Sequence, residues 1–150
     1  MYNAELMAEE KLKRVLAVDW GEKRIGLAIS DPKRRFARSL GVINHVSRKL
    51  DAKKICEIAF ENNVDAIIMG VTYDDENRLT PNGRSANRLA DEIASSFGNQ
   101  VIFWDESFTT KEAKQLQLEK GISKTRRKGH HDDMAAVLLL EDYLEKLTHE

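Results

Sequence analysis

Short apolar runs and amphipathic stretches alternate along this chain in an order that predicts its architecture. Val15–Asp19 and Ile25–Ser30 read as two strands joined by a tight turn containing Gly21, and so as antiparallel neighbours. Phe36–Val46 reads as a third strand, weakened or bulged at Gly41. In residues 48–63, Leu50, Ile55, Ile58 and Ala59 recur near helical spacing. Residues 64–71 (VDAIIMGV) form a short apolar run, read as a buried strand. A polar loop with one Pro and one Gly covers 72–83. In residues 84–97, Ala86, Leu89, Ala90, Ile93, Ala94 and Phe97 line one helical face. Residues 100–106 (QVIFWDE) read as a strand ending in carboxylates. Residues 109–120 read as a helix with a Thr109/Glu112 capping box. A basic loop, 124–131, leads to a last helix over 132–147. Antiparallel strands followed by strand–helix alternation predict an α/β fold: a mixed five-stranded sheet, its first three strands antiparallel, with helices on both faces.

The length of 150 residues suits one domain, here 14–147, after an N-terminal extension, 1–13. Hydrophobic residues make up 41% and charged residues 33%, the balance of a soluble globular protein. The formal charge of −1, from 24 basic and 25 acidic residues, neither advertises nor excludes a nucleic-acid partner, because local clustering outweighs the sum. The single cysteine, Cys56, rules out an internal disulfide and is read as a small buried apolar residue. No signal-like start and no run near the roughly 18 apolar residues of a membrane span is found, so a cytoplasmic protein without a membrane partner is expected.

The chemistry concentrates at element ends. Asp19 closes the first strand, Asp105 and Glu106 close the last, and Asp132 and Asp133 open the final helix. Sites in strand–helix architectures form where such ends converge. If the first and last strands are neighbours, these acids meet. Clustered carboxylates repel unless a cation neutralises them, and oxygen donors favour Mg²⁺ or Mn²⁺. Two such ions about 4 Å apart activate a water and stabilise a leaving oxygen in phosphodiester cleavage. Plainer roles stand beside this one: a turn residue for Asp19, a helix N-cap for Asp132 or Asp133, solvated loop acids for Asp105 and Glu106.

Lys23 and Arg24, on the turn after Asp19, suit phosphate binding. Two basic runs, Lys33–Arg38 and Lys124–Lys128, are dense enough to do the same, or to be solvated surface. The second run, with Arg126, Arg127 and Lys128, directly precedes the Asp132 acids. His130 and His131 flank those acids. Arg84 is a candidate groove residue. Trp20 and Trp104 each neighbour an acid, Trp104 reading as a packing residue.

Four segments in order, VDWGEKRIGLAISD, IIMGV, DESFTTKEA and DDMAAVLLLEDYL, resemble the YqgF family of candidate pre-16S rRNA nucleases, which are related to Holliday junction resolvases. The resemblance covers about Arg14 to Leu147. It implies an RNase H-like fold and metal-dependent cleavage of nucleic-acid phosphodiesters. It places the family's catalytic, metal-holding acids on Asp19, Glu106 and Asp132, with Asp105 and Asp133 as further candidates, and matches Lys23 and Arg24 to the basic turn. Ser107 stands where the family usually has Arg, with Arg84 or Arg127 as substitutes, and Thr72 where it usually has Pro. The partner expected is nucleic acid, structured RNA before branched DNA, bound by a monomer or homodimer. A non-catalytic RNA-binding protein is the rival from another class. An actin-like ATPase needs more chain than this.

Overall fold

The computed structural model describes residues 13–106 and 124–148, and in the second segment side chains from Met134 onward. Five strands form one sheet: β1 (Arg14–Asp19), β2 (Arg24–Ser30), β3 (Ala37–Asn44), β4 (Val64–Val71) and β5 (Gln100–Asp105), in spatial order β3-β2-β1-β4-β5. The β1–β2 and β2–β3 pairs are antiparallel, and β1–β4 and β4–β5 are parallel. Three helices are described: α1 (Arg48–Glu61), α2 (Pro81–Ala94) and α3 (Lys124–Thr148).

The expected mixed sheet is present. β1 and the last strand are not neighbours, because β4 runs between them. A parallel strand needs a crossover. The crossover through α1 sets β4 against the open side of β1, and the one through α2 adds β5 beyond it.

Period-two alternation splits each central strand between two apolar clusters. Leu16, Val18, Ile67 and Met69 face α1 and α2 with Ile55, Leu89 and Ile93. Val15, Ala17, Ala66 and Ile68 face α3 with Ala136, Leu139, Leu140 and Tyr143. Cys56 is partly buried against the first cluster, and burial pushes its thiol up. Trp104 packs in the second cluster as expected, edge-on to Tyr143 at 5.1 Å, with its indole N–H donating to Asp142 Oδ2 at 2.7 Å.

Element bounds depart from the sequence reading at three points. β3 is shorter, and its pairing with β2 shifts register between Leu27 and Ala28, where Gly41 sits at φ 92°, the bulge anticipated there. α2 begins at Pro81 rather than Arg84: Thr80 caps it by accepting from the Gly83 N–H at 3.0 Å, and Pro takes the first helical position, where no amide is needed. α3 begins at Lys124, so the basic residues 124–131 are helical, and Asp132 and Asp133 lie within α3 instead of opening it. Long basic side chains are good helix formers, and the lone Gly129 costs only about 1 kcal/mol. The N-terminal residues 1–12, Ser107 and the helix expected over 109–120 lie outside the described residues.

Ile67, fully buried in the middle of β4, should be among the most costly positions to truncate. Ile67→Ala is expected to lose about 2–5 kcal/mol in urea unfolding.

Candidate active site

The C-terminal ends of β1, β4 and β5 lie along one edge of the sheet, because the three strands are parallel. The antiparallel partner β2 starts there, so the β1–β2 turn with Lys23 belongs to the same edge, as does the end of β3. Gly21 keeps this turn tight: a Cβ there would collide with the Arg24 carbonyl oxygen.

Asp19 has the parity of Val15 and Ala17, which puts it on the α3 face. On β5, Ile102 and Trp104 pack on that face, and Glu106 continues their alternation, its N–H donating to the Val71 carbonyl at 2.9 Å. Asp105 has the opposite parity and is exposed. Strand alternation therefore separates the two adjacent acids, which sequence reading alone leaves equivalent.

Asp19 and Glu106 share a hydrogen bond although a whole strand intervenes. Gly70 of β4 makes this possible. A Cβ on Gly70 would lie 2.7 Å from Glu106 Cδ and 3.0 Å from Leu139 Cδ2. The glycine leaves a notch in the α3 face of the sheet, and the Glu106 carboxyl fills it. Burial, then the charge of Asp19, the hydrogen bond to Asp19 and the charge of Asp105 push Glu106 up to about 10. That direction favours a protonated Glu106 at neutral pH, with the proton shared in the hydrogen bond to Asp19.

The other candidates divide. Lys23 and Arg24 are exposed at this edge. Arg84 is exposed on the first turn of α2, its guanidinium donating to the Leu79 carbonyl at 2.9 Å. It borders the loop after β4, which closes on itself: Thr80 N–H donates to the Thr72 carbonyl at 3.0 Å, and the two threonine hydroxyls are hydrogen-bonded. The Lys33–Arg38 run sits at the far end of the sheet, with Arg34 paired to Asp65. Arg126, Arg127, Lys128, Asp132 and Asp133 fall in the first half of α3. Asp132 lies one turn before Ala136, and Asp133 three residues before it. Among the described residues no cluster of three or more potential metal ligands forms, and the side chains of Asp132 and Asp133 are not among them. Reading from sequence missed Gly70, whose only signal is a small residue interrupting an apolar run, and it missed His45 and Asp51, which form a hydrogen-bonded pair near Trp20.

A sequence model of the family described as "RuvX: Holliday junction resolvase" matches residues 13–146. The chain belongs to the RuvX family. A Thermoanaerobacter pseudethanolicus protein named as a candidate pre-16S rRNA nuclease is 38% identical over 133 residues, 88% of this chain and 96% of that protein. A Dictyoglomus turgidum protein of the same name is 36% identical over 90% of this chain and 96% of its own length. Among solved structures, Thermus thermophilus RuvC in complex with a Holliday junction superposes with a TM-score of 0.58 at 15% identity, covering 91% of this chain and 96% of that one. The fowlpox virus resolvase bound to its junction DNA gives 0.51 at 16% identity, covering 89% and 98%. At those identities the structures establish the fold of this RuvX chain, the RNase H-like sheet. No described helix is long and apolar enough to cross a membrane.

The raised proton affinity of Glu106 has a thermodynamic sign. Unfolded, the carboxyl ionises near 4.5; folded, near 10. Between those values the native state holds the extra proton, so stability is full below about pH 4.5 and falls as pH rises toward 10. Glu106→Gln should therefore raise stability by roughly 5 kcal/mol at pH 8, with the gain vanishing near pH 4, in metal-free thermal unfolding. Gly70→Ala should push the Glu106 carboxyl out of its notch. Its titration, followed by carboxyl-carbon NMR, should then move down toward the ordinary range while the fold persists.

Proposed function

We propose that this RuvX-family chain is a metal-dependent nuclease that hydrolyses phosphodiester bonds in structured RNA, with pre-16S ribosomal RNA as substrate, in the cytoplasm. The observation that carries the reading is the contact between Asp19 and Glu106 across Gly70. A fold gains nothing from pressing two carboxyls together and burying one of them. The arrangement becomes favourable when a cation replaces the shared proton.

The donor set fits that cation. Carboxylate oxygens are hard ligands suited to Mg²⁺ or Mn²⁺, and among the described residues no histidine or cysteine joins the pair. Asp19 and Glu106 would hold the ion together with Asp132, the acid that the family resemblance assigns to the third position, four residues before Ala136 in α3. Asp133, three residues before Ala136, and Asp105, on the opposite face of β5, are the reserves. The chemistry supplied by such an ion is polarisation of the phosphoryl group and generation of a nucleophile from water at neutral pH.

The chain's own contribution is placement and charge. Asp19 is fixed by its pairing opposite Gly26, and Glu106 by its backbone bond to Val71. To hold such an ion Glu106 would have to be ionised, so its proton would leave when the ion is bound. Lys23 and Arg24 would offset the charge of phosphates at the same edge, and Arg84, Arg126, Arg127 and Lys128 are the further candidates for phosphate contact. No protein nucleophile is required. The names of the relatives support the RNA substrate.

The family description favours a second reading, a resolvase acting on branched DNA. Paired cuts then require two active sites on a symmetric dimer. Sedimentation with and without a four-way junction separates that reading from a monomer acting on RNA. Calorimetric titration of the metal, with and without RNA, separates both from a non-catalytic RNA binder.

Asp19→Asn keeps the size of the side chain and removes its charge. It should lower Mg²⁺-dependent cleavage of a pre-16S RNA fragment by at least about 100-fold, the scale of losing a group that acts in the transition state. Undiminished cleavage by this variant would remove Asp19 from the mechanism.

A further inference from the structure

Trp20 follows Asp19 on β1 and so falls on the other face of the sheet, where it packs against the α1–α2 cluster. There it borders a cavity of about 240 Å³ that is also lined by His45, Ser47, Arg48, Ser85 and Arg88. The cavity lies at the same sheet edge as the carboxylates. His45 N–H donates to the Lys23 carbonyl at 2.9 Å, which ties its wall to the basic turn after Asp19.

The cavity is built around a buried acid. Asp51 is only 2% exposed, and its carboxylate is fully engaged: Oδ1 accepts from the Val46 N–H at 3.0 Å, and Oδ2 meets His45 Nδ1. With Nδ1 held there and Trp20 edge-on to the imidazole at 6.0 Å, the ring orientation of His45 is fixed and Nε2 is its remaining polar atom. Ser47 caps α1 by accepting from the Leu50 N–H at 3.2 Å, which leaves its hydroxyl proton to donate. Arg48 and Arg88 stand on α1 and α2 across the cavity, and no described carboxylate pairs with either. Two arginines, two serines and one oriented imidazole line the cavity, while the only acid in the wall is already satisfied. This donor set matches a tetrahedral oxyanion.

We propose that this cavity binds a backbone phosphate of the nucleic-acid strand, flanking the bond held at Asp19 and Glu106. The identity of the ligand as a strand rests on the nuclease reading above; the anion chemistry does not. Asp19 and Trp20 then present consecutive side chains to the two sides of the sheet edge, and the strand would cross that edge.

The test pairs Arg48→Ala/Arg88→Ala with a control that removes the same charge from the far end of the sheet, Lys33→Ala/Arg35→Ala. All four side chains are exposed, so both variants should fold. Affinity for a labelled pre-16S RNA fragment is read by fluorescence anisotropy in an Asp19→Asn background, which leaves the strand uncut. Inorganic phosphate is titrated separately, with amide NMR shifts at His45, Ser47 and Ser85 as the readout. The expected result is a Kd raised about tenfold and a log–log salt slope reduced by about one in the cavity variant. The control should change by less than about threefold, and phosphate shifts should be present in the native chain and absent from the cavity variant. Equal weakening by both variants, or by neither, overturns the proposal, as does the lack of phosphate shifts. Phosphate shifts with unchanged RNA affinity overturn the strand assignment and leave a site for free phosphate. RNA bound through the cavity but never cut by the native chain supports the cavity and overturns the nuclease reading instead.

Discussion

One unfavourable contact organises this molecule: two carboxyl groups, from strands that do not pair with each other, meet over the backbone of the strand between them. Like charges at hydrogen-bonding distance must share a proton or a cation. Everything near Asp19 and Glu106 serves to hold them there. Parity turns both toward α3, the hydrogen bond from Glu106 to Val71 extends β5 by one residue past its last pair, and the bare backbone at Gly70 leaves the space in which the carboxyl sits. Leu139 closes the notch from the helix side, so the volume available to Glu106 is set by packing as well as by pairing.

Most of the sheet was legible from pattern, because β1, β2 and β4 are buried on both faces and read as continuous apolar runs between turns. The strand-end acids were legible for the same reason: a carboxylate terminating such a run is conspicuous. Adjacency was not. Nothing local in Val64–Val71 says that this strand separates β1 from β5; that follows from where the α1 and α2 crossovers can land. The choice between Asp105 and Glu106 was blurred because Val101 and Phe103 are apolar as well as Ile102 and Trp104, so the alternation that distinguishes the faces is masked at the sheet margin. Gly70 reads in sequence as an interruption, since what fills the space above a glycine comes from elsewhere in the chain.

Helix limits failed at places where local signals conflict. Pro81 and Gly83 look like loop residues, yet a threonine immediately before a proline is also a helix start, and the Thr80 side chain decides it. The basic residues before Asp132 look like solvated loop, yet they propagate a helix well. The His45–Asp51 pair was invisible for another reason: a loop histidine and a helix aspartate six positions apart have no periodic relation, and only the closure of the β3–α1 connection joins them.

The placement of β4 between the two acid-bearing strands has a consequence for assembly. β1 and β2 can pair through contacts local in sequence, but the carboxyl pair exists only after both long crossovers have closed and β5 has docked on β4. A nascent or truncated chain that ends before β5 contains Asp19 but not the carboxyl it meets in the folded protein. On the nuclease reading, completion would come later still, with α3, the element that carries Asp132.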